Sequence, residues 1–163
     1  MASGNTLLVF TALGAEFPNT NYASLSMSND HPILEYSEGI NAISLFRGVI
    51  PRNYSGGGIT VVVYWKANTA TTGAVVWSGE FEDLLGFNIA AGNSFGTLVT
   101  SSATTTNATA GFVNTTTFAF TNAQIDGLVA GDPFRFRLVR VDNNVADTLT
   151  GGAHFLQLEM RET

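Results

Sequence analysis

Few residues of this chain have the types and spacing that chemistry requires. The run Gly92-Asn93-Ser94-Phe95-Gly96 matches the pattern of a hydrolase nucleophile elbow, and Asp126 or Asp132 followed by His154 supplies the Ser, Asp, His order of an acyl-transfer triad. That elbow works by lifting its serine on a strand-to-helix turn above a parallel sheet. Here Thr97 to Thr106 is β-prone and no oxyanion-hole glycine motif precedes the run, so it reads as a glycine-flanked loop. His31 sits in a turn before Pro32 and His154 falls on the apolar parity of the last strand. Two histidines without a cysteine are too few ligands for zinc, and His154 reads as a semi-buried ring with one satisfied nitrogen. Asp142, Asn143, Asn144 and Asp147 offer oxygens to calcium but lack the EF-hand spacing, and read as a polar hairpin turn. The glycines Gly56 to Gly58 precede a strand, with no lysine and helix behind them, so they form a turn rather than a phosphate cradle.

Two further sets of residues carry charge or ring faces. Glu80 and Glu82 lie on the polar parity of one predicted strand and Arg135 and Arg137 on that of another, so the expectation is cross-strand ion pairs. Tyr54, Tyr64, Trp65 and Trp77 are the rings a sugar platform would use, although Trp65 and Trp77 share an apolar parity and read as core. No catalytic, metal-binding or cofactor-binding residue is assigned, and an enzyme is not expected.

The elements that would position these residues are strands. Ile59, Val61, Val63 and Trp65 alternate with Thr60, Val62 and Tyr64, and Val75, Trp77 and Phe81 alternate with Val76, Ser78 and Glu80. This period of two predicts a buried antiparallel hairpin turned by the polar run Asn68 to Gly73. Shorter strands are expected near Thr6 to Ala12, Tyr22 to Met27, Ile33 to Tyr36, Asn41 to Arg47 and Phe112 to Phe120, with two closing strands around Phe134 to Leu138 and His154 to Met160. Asn29 to Pro32 and Ser37 to Gly39 supply turns, and Thr121 to Gln124 has capping-box spacing for one helical turn through Leu128. Strand after strand without alternating helices predicts an all-β, antiparallel, jelly-roll-like sandwich of eight or nine strands. Residues 1–20 read as an N-terminal strand or arm and 21–163 as a single sandwich domain.

Composition narrows the partners. Charged residues make up 12% of the chain, about half the usual share, and the net charge is −6. Seven scattered basic residues do not build the clustered positive face that nucleic acid needs. No apolar run approaches the roughly 20 residues of a membrane span, and the N-terminus lacks the features of a signal peptide. The chain therefore reads as soluble and without a leader.

The runs YSGGGITVVVYWKA, TTGAVVWSGEFE, AQIDGLVAGDPFRFRL and LEMRET, within roughly residues 40 to 163, resemble the head decoration, or cement, proteins of tailed bacteriophages. The resemblance implies a jelly-roll-like sandwich that forms a homotrimer on the outer surface of the capsid. Its partners would be itself and the major capsid protein, with no cofactor, nucleic acid or membrane. In that setting Thr6, Leu7, Leu8, Val9 and Phe10 would form an assembly arm that adds a strand to an adjacent sheet. The alternative is a carbohydrate- or receptor-binding module of a phage fibre or tail, using Tyr54 and the polar loop Ser101 to Gly111.

Overall fold

A computed structural model describes residues 4–163. The protein is an antiparallel β-sandwich of thirteen strands, with three short 3-10 turns and no α-helix among the described residues. The strands are β1 (Thr6–Thr11), β2 (Ala15–Glu16), β3 (Ser24–Ser28), β4 (His31–Tyr36), β5 (Ile43–Val49), β6 (Ile59–Ala67), β7 (Ala74–Val75), β8 (Trp77–Asp83), β9 (Val99–Thr100), β10 (Thr104–Thr105), β11 (Asn114–Phe120), β12 (Pro133–Arg140) and β13 (Ala153–Glu162). The count exceeds the expected eight or nine because four of these are two-residue pairings, too short to leave a period in the sequence.

One sheet has the order β11-β6-β13-β4-β3, with β1 also on β13; the other runs β2-β5-β12-β8-β9. Between them lies an aromatic core. Tyr36, Trp65, Phe120 and Phe155 from the first sheet meet Phe46, Trp77, Phe81, Phe134 and Phe136 from the second, all fully buried. Phe136 packs where Gly79 stands opposite Leu138, since a Cβ at Gly79 would lie 2.4 Å from the Phe136 ring. Gly79 is therefore fixed by packing rather than by backbone conformation.

The expected hairpin of residues 59 to 81 does not form. β6 pairs with β11 and β13, whereas β8 pairs with β12 and β9 in the opposite sheet. Both strands have the right parity, but they face each other across the core, with the Trp65 and Trp77 ring centroids 6.4 Å apart. Asn68 to Val76 is long enough to cross the roughly 10 Å between two sheets, and a centrally buried strand needs a partner on each side.

The N-terminal arm is also corrected. Thr6 pairs with Arg161, and Leu8 to Thr11 pair with Met160 to Gln157 of the same chain. Phe10 packs on Phe46 and Phe134, so Leu7, Leu8 and Phe10 join this molecule's core rather than a neighbour's sheet. The physical reason is that β4 covers only Ala153 to Phe155 of β13, and β1 takes the edge that is left. β2 enters the other sheet beside β5, so the stretch set apart as residues 1–20 contributes to both layers. Residues 1–3 of that stretch lie outside the described residues.

Candidate functional site

The largest exposed aromatic group lies where the chain leaves β2. Phe17 and Tyr22 are 44% and 53% exposed, and their rings meet edge to face with centroids 6.2 Å apart. The loop between them is held firmly: Asn21 adopts a left-handed φ of 54°, its carbonyl accepts from the Ile43 amide at 2.7 Å, and the Ala23 amide donates to the Ile43 carbonyl at 2.8 Å. Asparagine tolerates that conformation better than most residues. The two rings, with Pro18 and Leu25, line a cleft of about 440 Å³.

A polar cleft adjoins it through Asn21 and is completed by Gly39, Asn41, Asp142 and Asn143. Asn41 Nδ2 donates to Asn143 Oδ1 at 3.1 Å, the Asn143 amide donates to Asn41 Oδ1 at 3.3 Å, and the Gly39 amide donates to Asp142 Oδ2 at 2.8 Å. Beneath this rim Arg140 is fully buried. It grips both oxygens of Asp147 (2.8 and 3.2 Å), lies 3.1 Å from Asp142, and donates to the carbonyls of Gly151, Leu149 and Tyr36. Asp142 and Asp147 are thus engaged by a guanidinium, and among the described residues no group of three or more acidic, histidine or cysteine ligands is placed to hold a metal ion. Rings with a hydrogen-bonding amide rim can stack on the apolar face of a pyranose and read its hydroxyls.

The residues expected to form ion pairs are brought together. Glu82 stands opposite Arg135 and Glu80 opposite Arg137 across β8 and β12. Glu82 is fully buried; Arg135 reaches its Oε2 at 2.5 Å, and its Oε1 accepts from the Ser94 amide at 2.6 Å. Arg137 bonds Glu80. The Phe95 ring lies 4.4 Å from the Arg137 guanidinium and 5.4 Å from that of Arg135, and Asn93 Oδ1 accepts from Arg135 at 2.7 Å. The elbow-like run 92–96 is therefore a clasp across the outer face of the five-stranded sheet. His154 lies on β13 of the other sheet, so no Ser94, Asp and His154 triad is assembled.

On the outer face of the six-stranded sheet, Glu35, His154 and Lys66 occupy neighbouring register positions of β4, β13 and β6. Lys66 Nζ donates to His154 Nδ1 at 3.1 Å, and the buried Nε2 has no partner. Burial, then the Lys66 charge, hold the His154 ring below its ordinary value, against the pull of Glu35; burial also lowers Lys66. The apolar parity assigned to His154 is corrected by a bulge at Leu156. Phe155 and Leu158 both face the core, so His154 and Gln157 point outward. Farther along this face the Arg161 guanidinium holds Glu159 down to about 2, with Tyr64 also donating to that carboxylate.

Tyr54, the ring first expected at a sugar platform, is only 7% exposed, and its hydroxyl accepts from the Gly58 amide and donates to Asn122. Neither Phe17 nor Tyr22 is assigned to a site from sequence: Phe17 stands outside any alternating run, and Tyr22 reads as the start of a strand over Tyr22 to Met27, which in the structure begins only at Ser24. The signal available was two rings flanking a proline- and asparagine-rich stretch, Pro18 to Asn21, with no partner parity to bury them.

No known sequence family matches the chain, and no curated protein matches it. Its fold is shared with solved structures. The C-terminal CBM6 of LamC, a marine laminarinase from Zobellia galactanivorans, aligns at 14% identity over 97% of this chain and 100% of that one, with a TM-score of 0.53. The CBM22-2 xylan-binding domain from Paenibacillus barcinonensis aligns at 12% identity over 92% of each chain, with a TM-score of 0.50. An isomaltodextranase of Arthrobacter globiformis T6, solved with panose, gives 14% identity and a TM-score of 0.50 over 93% of this chain but 22% of that one. These likenesses define a β-sandwich of the type found in carbohydrate-binding modules. They overturn the expectation of a capsid decoration protein, whose phage and cement readings rested on strand and turn patterns that this sandwich produces equally well.

Proposed function

We propose that this chain is a non-catalytic carbohydrate-binding module that holds a neutral glycan on the Phe17–Tyr22 pair. The observation that carries the reading is the pair itself: two rings near half exposure, fixed edge to face, beside the amide rim of Asn21, Asn41 and Asn143. Stacking on Tyr22 would desolvate one face of a sugar, and the asparagine amides offer both donors and acceptors for its hydroxyls. The sandwich shared with a CBM6 and a xylan-binding CBM22 supports the class of ligand without fixing its linkage.

The test is a titration against laminarin, xylan and dextran by calorimetry and affinity electrophoresis. At least one should bind. Tyr22→Ala and Phe17→Ala should each weaken it about tenfold, as expected for losing a stacked ring, while the melting temperature stays near that of the parent protein. Unchanged affinity in both variants, or no binding to a broad glycan array, would sink the reading.

A further inference from the structure

A second cleft, of about 610 Å³, opens on the outer face of the six-stranded sheet, away from the Phe17–Tyr22 rings. Its size falls within the range of about 300–1,000 Å³ typical of small-molecule sites. Its floor is apolar, from Ile33 and Leu156, and its walls carry the side chains of Asn29, Asn68, His31 and Lys66. Lys66 is the only lysine of the chain. Among the described residues it has no carboxylate within ion-pair distance, whereas five of the six arginines pair with acids. Its one hydrogen-bond partner is the ring of His154, a neutral acceptor that orients the ammonium and leaves its charge uncompensated. The only other histidine, His31, lines the same cleft. In a chain of net charge −6, this lysine and one imidazole thus line one concavity, with the second imidazole hydrogen-bonded to the ammonium.

We propose that this cleft is a second saccharide site, selective for a unit bearing a carboxylate, with Lys66 Nζ taking the acid group. Leu156 would lie against the ring carbons, and Asn29 and Asn68 would meet hydroxyls. One cation suits one carboxylate per bound unit, as in a polyuronate, rather than a dense polyanion, which the acidic remainder of the surface would repel. The inference extends the glycan-binding reading but uses none of the residues on which that reading rests.

The experiment titrates the intact protein with a galacturonate oligomer, with the same oligomer methyl-esterified, and with inorganic phosphate, reading both heat and the amide shifts of His31, Leu156 and Asn68. The free acid should bind and shift those amides; esterification and Lys66→Met should each weaken it about tenfold, the loss expected for one charge-assisted hydrogen bond. Lys66→Arg should restore most of the affinity and serves as the check that the sheet is intact. Free-acid affinity that survives Lys66→Met, or phosphate that displaces the oligomer completely at equal concentration, would overturn the proposal. Loss of acid binding in Lys66→Met with neutral-glycan binding untouched by Tyr22→Ala would sink only the first reading. The converse pattern would sink only this one.

Discussion

The two outer faces of the sandwich differ in the charge they leave over. On the five-stranded sheet, Glu80, Glu82, Arg135 and Arg137 neutralise one another and are roofed by Phe95, so four charged side chains become internal fastening. On the six-stranded sheet Arg161 and Glu159 also pair, but Lys66 lines an open cleft with an imidazole for company. The difference separates structural charge from available charge. A charge that is buried and paired is costly to disturb and has nothing left to offer a ligand, whereas one left uncompensated at a surface contributes little to folding.

The sharpest way to break this comparison is Arg135→Met. Removing the partner of the fully buried Glu82 should cost about 3 kcal/mol in urea unfolding, and a cost below about 1 kcal/mol would make the pair an ordinary surface contact. Phe95→Ala should cost less, about 1–2 kcal/mol, through lost packing and two cation–π contacts. The opposite face is probed by acid. Because the folded pKa of His154 lies below its ordinary 6.5, its contribution is fully present above that value and is lost as pH falls below it. Melting temperature should therefore decline below about pH 6.5, before the Glu159 step between 4.5 and 2, and His154→Gln should flatten the first decline while keeping the second. The smallest effect is expected for Lys66→Met, within about 0.5 kcal/mol of the parent; a larger loss would show Lys66 to be structural after all.

Much of the sandwich was legible because period two survives wherever one face is buried: β6, β8, β11 and β12 all lie in stretches whose alternation marks them as strands. Even the pairing of Glu80 and Glu82 with Arg135 and Arg137 could be anticipated from parity. Strand partners could not, because alternation says which side chains point together but not which strand lies alongside; hence β6 and β8 read as a hairpin and proved to be opposite walls. The bulge at Leu156 hid the face of His154, since one extra residue reverses parity without altering composition. The candidate site was the least legible part. Phe17 sits in an irregular connection, Tyr22 reads as the first residue of a strand that begins two residues later, and Asn41 and Asn143 are brought together across 102 positions of sequence by tertiary structure alone.

Arg140 gives the Asn41–Asn143 rim a property that its exposure conceals. The guanidinium fastens the connection after β12 to the interior through Asp142, Asp147 and the carbonyls of Leu149 and Gly151, so a surface loop is held from below like an element of the core. A glycan arriving there would meet amides already in place, and would surrender its own freedom without first having to quiet the protein's.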